Sequence, residues 1–143
     1  MPSLFKTTAR QADLALLALR VIAGIIFTAH GAQKLFVFGI AGVQGAFAKM
    51  GAPLPELTGP LIAGLEFFGG IALIAGLLTR LVAFGLVADM LGAILLVHFA
   101  NGLTGQGGYE FVLMLLGASL ALFFAGAGDF SVDHLIGRRS ATR

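Results

Sequence analysis

Apolar positions in this chain gather into four long blocks, approximately Leu14 to Phe36, Leu57 to Leu78, Leu81 to Phe99 and Tyr109 to Gly128, built from Leu, Ile, Val, Phe, Ala and Gly. A bilayer core about 30 Å thick takes about 20 apolar residues of helix, so the blocks predict four transmembrane helices. The segments between them are turn-forming or polar: Ala52-Pro53-Leu54-Pro55-Glu56, then Thr79-Arg80, then Asn101 to Gly108 with four glycines. The second break is so short that its flanking helices must form an antiparallel hairpin. Val43 to Met50 reads as a short interfacial helix or a loop, and Ser131 as the N-cap of a short helix through His134. No linker divides the chain, so residues 1–143 form a single all-α membrane domain, an antiparallel four-helix bundle.

Composition supports this reading. Of 143 residues, 58% are hydrophobic and 11% charged, with a mean hydropathy of +0.98; a soluble domain carries about 25% charged residues. A net charge of +2 leaves no basic surface for nucleic acid. With no cysteine, the chain alone carries no disulfide, thiolate metal site or thiol relay. Its 21 glycines suit helices whose backbones approach closely in lipid.

Cytoplasmic segments carry the excess of Lys and Arg. Lys6, Arg10, Arg20, Arg80, Arg138, Arg139 and Arg143 fall towards the side of the termini, and only Lys34 and Lys49 towards the other. Both termini are therefore expected in the cytoplasm. A cleaved signal peptide is disfavoured, because Arg20 interrupts the first apolar block and the block runs too long.

Ionisable groups within spans cost several kcal/mol unless paired or turned to a cavity, which singles out Arg20, His30, Lys34, Glu66, Asp89, His98 and Glu110. Arg20, Ala23, Phe27, His30 and Lys34 are spaced 3, 4, 3 and 4 apart, within roughly 80° on an ideal helix. That stripe is expected to face the bundle interior. Arg20 and Asp89 each fall about 10 Å from the cytoplasmic end of their spans, predicting a structural ion pair. Glu66 lies near mid-membrane beside Gly59, Ala63, Gly69 and Gly70. His30, Lys34, His98, Asn101, Tyr109 and Glu110 collect near the outer boundary, either as ordinary interfacial residues or as a pocket. In the pocket reading His30 exchanges protons with Glu66 or Glu110, and Lys34 attracts an anion or a quinone oxygen. His98 lies about 180° round an ideal helix from Asp89, so it joins such a pocket only where the helix distorts. Two histidines on separate spans raise a b-type haem, which a height difference of roughly 7 to 8 Å disfavours; no spacing signature marks a metal site.

The residues Arg20-Val21-Ile22-Ala23-Gly24, followed by His30-Gly31-Ala32-Gln33-Lys34-Leu35, resemble the first-helix signature of the DoxX family of small membrane proteins. Glu66-Phe67-Phe68-Gly69-Gly70, Gly76-Leu77-Leu78-Thr79-Arg80, Ala93 with His98, Gly108-Tyr109-Glu110 and Gly126 to Asp133 agree in order, covering about Leu14 to Asp133. Ala127 stands where the family usually has proline. The resemblance implies a four-helix protein of the bacterial inner membrane, described as an oxidoreductase or as a relative of a thiosulfate:quinone oxidoreductase subunit, with links to thiol and oxidative-stress defence. Its polar positions map onto Arg20, His30, Lys34, Glu66, His98 and Glu110; Asp89 is outside the pattern.

The leading expectation is a quinone-linked oxidoreductase or a subunit of one, with His30 as proton donor or acceptor, Lys34 as electrostatic anchor, Glu66 as buried acid, and His98 with Glu110 as an entrance pair flanked by Asn101 and Tyr109. Electrons would come through bound quinone or a partner oxidoreductase subunit, since the chain carries no recognisable haem or flavin motif. Membrane lipid and a second copy of the chain, in a homo-oligomer, are the other partners considered. The alternatives are a membrane scaffold or chaperone that docks through Gly-rich faces, and a transporter with a wet route lined by Glu66 and Asp89.

Overall fold

In a computed structural model, which describes residues 6 to 141, the chain is helical throughout its apolar blocks. Helix α1 (Ala9–Ala32) starts at a capping box, Thr8 Oγ1 accepting from the Gln11 amide at 3.2 Å and Gln11 Oε1 accepting from the Thr8 amide at 2.8 Å. It continues as a π-helical stretch, Gln33–Phe38, and bends at Gly39, whose φ of 70° ends the span. Helix α2 (Gly39–Lys49) follows, resolving Val43 to Met50 as helix and not loop. Then come α3 (Pro55–Ala75), α4 (Thr79–Ala93) with a π-helical and 3-10 extension to Asn101, α5 (Glu110–Ala125) and α6 (Val132–Ala141). Three helical runs are long and apolar enough to cross a membrane, while the fourth apolar helix, α5, has 16 residues. Arg143 lies outside the described residues.

Local chemistry explains the joints. Pro55 opens α3 at a position where its missing N–H costs nothing. Pro60, inside α3, leaves the Glu56 carbonyl without its i+4 donor, and Gln44 Nε2 of α2 donates to it at 2.9 Å. Val43 seats beside Gly59 on the same face. At the other end, α3 stops on left-handed Gly76, with Leu77 N to Ala72 O at 2.9 Å and Gly76 N to Leu73 O at 3.1 Å. The turn to α4 puts Leu78 at φ 50°, and the Asp133 carboxylate caps α4 by accepting from the Leu78 and Thr79 amides at 2.7 and 2.9 Å. Ser131 caps α6, as its position predicts, accepting from the His134 amide at 3.2 Å.

Packing is closest between α1 and α3. A Cβ added to Gly24 would stand 2.7 Å from the Gly70 carbonyl, and one added to Gly31 would overlap the Phe67 backbone. Only backbone-to-backbone contact fits there. The buried core joins Ala23, Phe27 and Leu73 of this pair to Ala83, Leu86, Met90 and to Val112, Leu115, Leu116 and Leu122 of α4 and α5.

Arg20, 1% exposed, does not pair with Asp89. Its guanidinium donates to the carbonyls of Leu73 at 3.1 Å, Ile74 at 2.5 Å, Ala127 at 3.2 Å, and Phe130. The expected pair fails because Arg20 stands level with Gly76, at the turn between α3 and α4, whereas Asp89 sits ten residues into α4, about 15 Å beyond that turn. The last turn of α3 leaves carbonyls short of their i+4 amides, Leu73 accepting from Gly76 in place of Leu77, and carries the negative end of the helix dipole, so a buried cation is satisfied there without a contacting carboxylate. The carboxylate of Asp133, at the same end of the bundle, supplies opposing charge.

At about 0.6 kcal/mol per interhelical hydrogen bond in a bilayer, Arg20→Met is expected to destabilise the bundle by about 2 kcal/mol, read as a lowered unfolding midpoint in lipid nanodiscs. Arg20→Met and Asp89→Asn should be additive; a coupling energy above about 0.5 kcal/mol would restore the Arg20–Asp89 pair.

Candidate functional site

The backbone contact of Gly31 on Phe67 sets the register of α1 against α3. Glu66 precedes Phe67, and Lys34 stands about one turn beyond Gly31, so the two side chains meet. Lys34 Nζ and Glu66 Oε2 form a hydrogen-bonded ion pair. Glu66 is 4% exposed, and the Lys34 side chain is 23% exposed, so the pair is open only on its lysine side. The wider π-helical turn that begins at Gln33 ends the 100° spacing of the ideal helix at this level.

Asp89 of α4 completes the cluster. Glu66 and Lys34 are the charged neighbours of its carboxyl, and its Oδ2, sealed from solvent, has no hydrogen-bond partner. Sequence reasoning paired Asp89 with Arg20 and set it beside Glu66 only in the transporter alternative. The signal lay in the hairpin: Glu66 is ten residues before Gly76, and Asp89 ten residues after Thr79, so both stand about 15 Å from the turn.

The remaining predicted residues separate from this cluster. His30 is exposed towards lipid, its ring 6.1 Å from that of Phe111, beside a shallow groove lined by Ala29, His30, Ala32, Gln33, Phe36 and Val37. The common stripe therefore splits: Lys34 turns inwards and His30 outwards. The helix does distort at His98, as its entry into a pocket requires, but the imidazole Nδ1 lies 2.7 Å from the Gly107 carbonyl, which also accepts from Asn101 Nδ2 at 3.1 Å. Tyr109 stacks on Phe99 with centroids 6.1 Å apart, and Glu110 is exposed at the start of α5. These four residues shape the loop between α4 and α5. Among the described residues no hydrogen bond or ion pair joins them to Lys34 or Glu66.

Comparison with known proteins now identifies the chain. The DoxX family model matches residues 15–99. The chain belongs to the DoxX family. This member is similar to a Bacillus subtilis (strain 168) protein named "Putative oxidoreductase CatD", 34% identical over 110 residues, or 77% of this chain and 79% of that protein. It is also similar to "Inner membrane protein YqjF" of Escherichia coli (strain K12), 33% identical over 129 residues, or 89% of this chain and 95% of that one. A third relative, a Mycobacterium tuberculosis membrane protein, is 29% identical over 136 residues, or 87% of this chain and 82% of its own. No solved structure matches. With several apolar helices and relatives of these names, this DoxX protein is a multi-pass protein of the bacterial inner membrane.

Removing one member of a buried charged pair strands the other. Lys34→Met is therefore expected to cost about 1 to 3 kcal/mol of stability, with most of it recovered in the Lys34→Met/Glu66→Gln double variant. Equal unfolding midpoints for Lys34→Met and the wild type would show that the pair has no structural weight.

Proposed function

We propose that this chain is the membrane-embedded, proton-handling part of a quinone-linked oxidoreductase, with Lys34, Glu66 and Asp89 as its working group. The observation that carries the reading is the cluster itself: two acids and one base, drawn from three helices, with a carboxylate oxygen left unpartnered inside the bundle. Intramembrane groups of this kind are expensive and are retained where protons or ions are handled. The name of the Bacillus subtilis relative points in the same direction.

The residues present suit a quinone headgroup. Lys34, partly exposed, offers an ammonium donor to a quinone oxygen, and the carboxyls beside it accept from or donate to a hydroxyl. A bound quinone would supply two-electron, two-proton carrier chemistry, its electrons coming from a partner subunit or a thiol-type donor. The chain's own contributions are binding through Lys34, proton exchange through Glu66 and Asp89, and exclusion of water by the apolar core.

The packing disfavours the other two classes. Phe27, Leu73, Ala83 and Leu86, all buried, lie between the cluster and the Arg20 end, which opposes a wet route across the membrane. Gly24, Gly31 and Gly70 are spent on contacts between α1 and α3, so that stripe is not free to dock another protein.

The test is binding of a soluble quinone analogue to the protein in nanodiscs by calorimetry, followed by quinone reduction with thiosulfate or thiol donors. Lys34→Met is expected to weaken binding about tenfold, the equivalent of about 1.4 kcal/mol for one lost charged hydrogen bond, and His30→Ala to weaken it less. No binding and no turnover with any donor, or Lys34→Met binding like the wild type, would reject the reading.

A further inference from the structure

Glu66, paired with Lys34, and Asp89, whose sealed Oδ2 has no partner, are neighbours at one depth of the α3–α4 hairpin, yet ionised carboxylates only accept. A bond between them requires a proton on one of the two. Charge leads to the same place. The charged group acting on the pair is Lys34 of the α1 extension; the buried residues of α5, Val112, Leu115, Leu116, Ser119 and Leu122, and of α2, Val43, are not titratable. With both acids ionised the cluster carries a net negative charge inside a lipid-embedded bundle, and with one proton it is neutral, the cheaper state in a medium of low dielectric. The unpartnered Asp89 Oδ2 is the atom such a proton would satisfy.

We infer that Glu66 and Asp89 hold one shared, exchangeable proton, with Lys34 balancing the remaining charge, and that this proton is exchanged past Lys34 on the side of the membrane opposite the termini. Lys34, its side chain 23% exposed, and Asp89, partly exposed, leave the cluster open at its own level, while buried Phe27, Leu73, Ala83 and Leu86 close the direction of the termini. A metal cation is the rival occupant. Hard divalent ions such as calcium take about six to eight oxygen ligands; this cluster has two carboxyls, one already on an ammonium, and among the described residues no three His, Cys, Asp or Glu side chains are grouped to hold a metal. The inference deepens the proton-handling role proposed above, and its test contains no quinone, so either can fail while the other stands.

The experiment is infrared difference spectroscopy of the full chain in nanodiscs, following the protonated-carboxyl stretch and its shift in D2O. The wild type is expected to show one such group per chain. Glu66→Gln and Asp89→Asn should each abolish it, because the remaining acid then ionises against Lys34, and Lys34→Met should double it. No band in the wild type, a band removed by only one of the two acid substitutions, or its loss on adding sodium or calcium chloride would overturn the proposal. Should the variants fail to fold, labelling of the wild type with a hydrophobic carbodiimide, read by peptide mass, is expected to place one label on Glu66 or Asp89; no label on either, or labels on both in one molecule, would overturn it equally. For sidedness, an acid pulse from an impermeant buffer should change the band only when applied opposite the termini, and a response from the termini side would overturn that part.

Discussion

The constraint on which the bundle depends is the backbone contact between α1 and α3. Lipid is as apolar as a leucine side chain, so helices in a bilayer associate through close packing and interhelical polar bonds. Gly24 against Gly70 and Gly31 against Phe67 bring the two backbones together where any side chain would intrude. Polar groups then fasten the pair at two heights: Arg20 on the terminal carbonyls of α3, and Lys34 on Glu66. Without that approach Lys34 would lie among acyl chains and Glu66 would lose its cation.

The two polar layers solve different problems. At the termini side, Arg20 gathers carbonyls from the end of α3 and from the segment between α5 and α6, while Asp133 caps α4. That layer ties α1, α3, α4, α6 and the segment before α6 together by side chains bonded to main-chain atoms. The inner layer is made of side chains alone, with more acid than base and one oxygen unsatisfied. A main-chain lock has one stable state; a side-chain cluster with surplus acid has a choice of protonation states. The proposed proton handling is therefore placed in the inner layer, while the other is architectural, with Phe27, Leu73 and Leu86 keeping them apart.

Much of this was legible from residue order. Four apolar blocks and the two-residue break gave four helices and a hairpin, Ser131 gave the cap of α6, and the ordered motifs gave the family. Burial cost picked out Lys34, Glu66 and Asp89 as residues needing an explanation, and the stripe on α1 turned Lys34 inwards. Depth arithmetic went wrong for Arg20, because equal counts from two helix starts are not equal heights: α1 reaches past the turn between α3 and α4, so that Arg20, eleven residues after Ala9, is level with Gly76. It went wrong for the outer group because His98, Asn101, Tyr109 and Glu110 share a height without sharing a space, His98 and Asn101 both serving the Gly107 carbonyl.

The sequence by itself determined the membrane, the number of helical blocks and which polar residues could not be left in lipid, since each follows from composition and transfer cost along one line of chain. Only the tertiary structure decided who pairs with whom. Partner choice depends on helix rotation and relative height, and those were set by features with no periodic signature: the π-helical turn at Gln33, the glycine contacts of α1 on α3, and the carbonyls left bare where α3 ends.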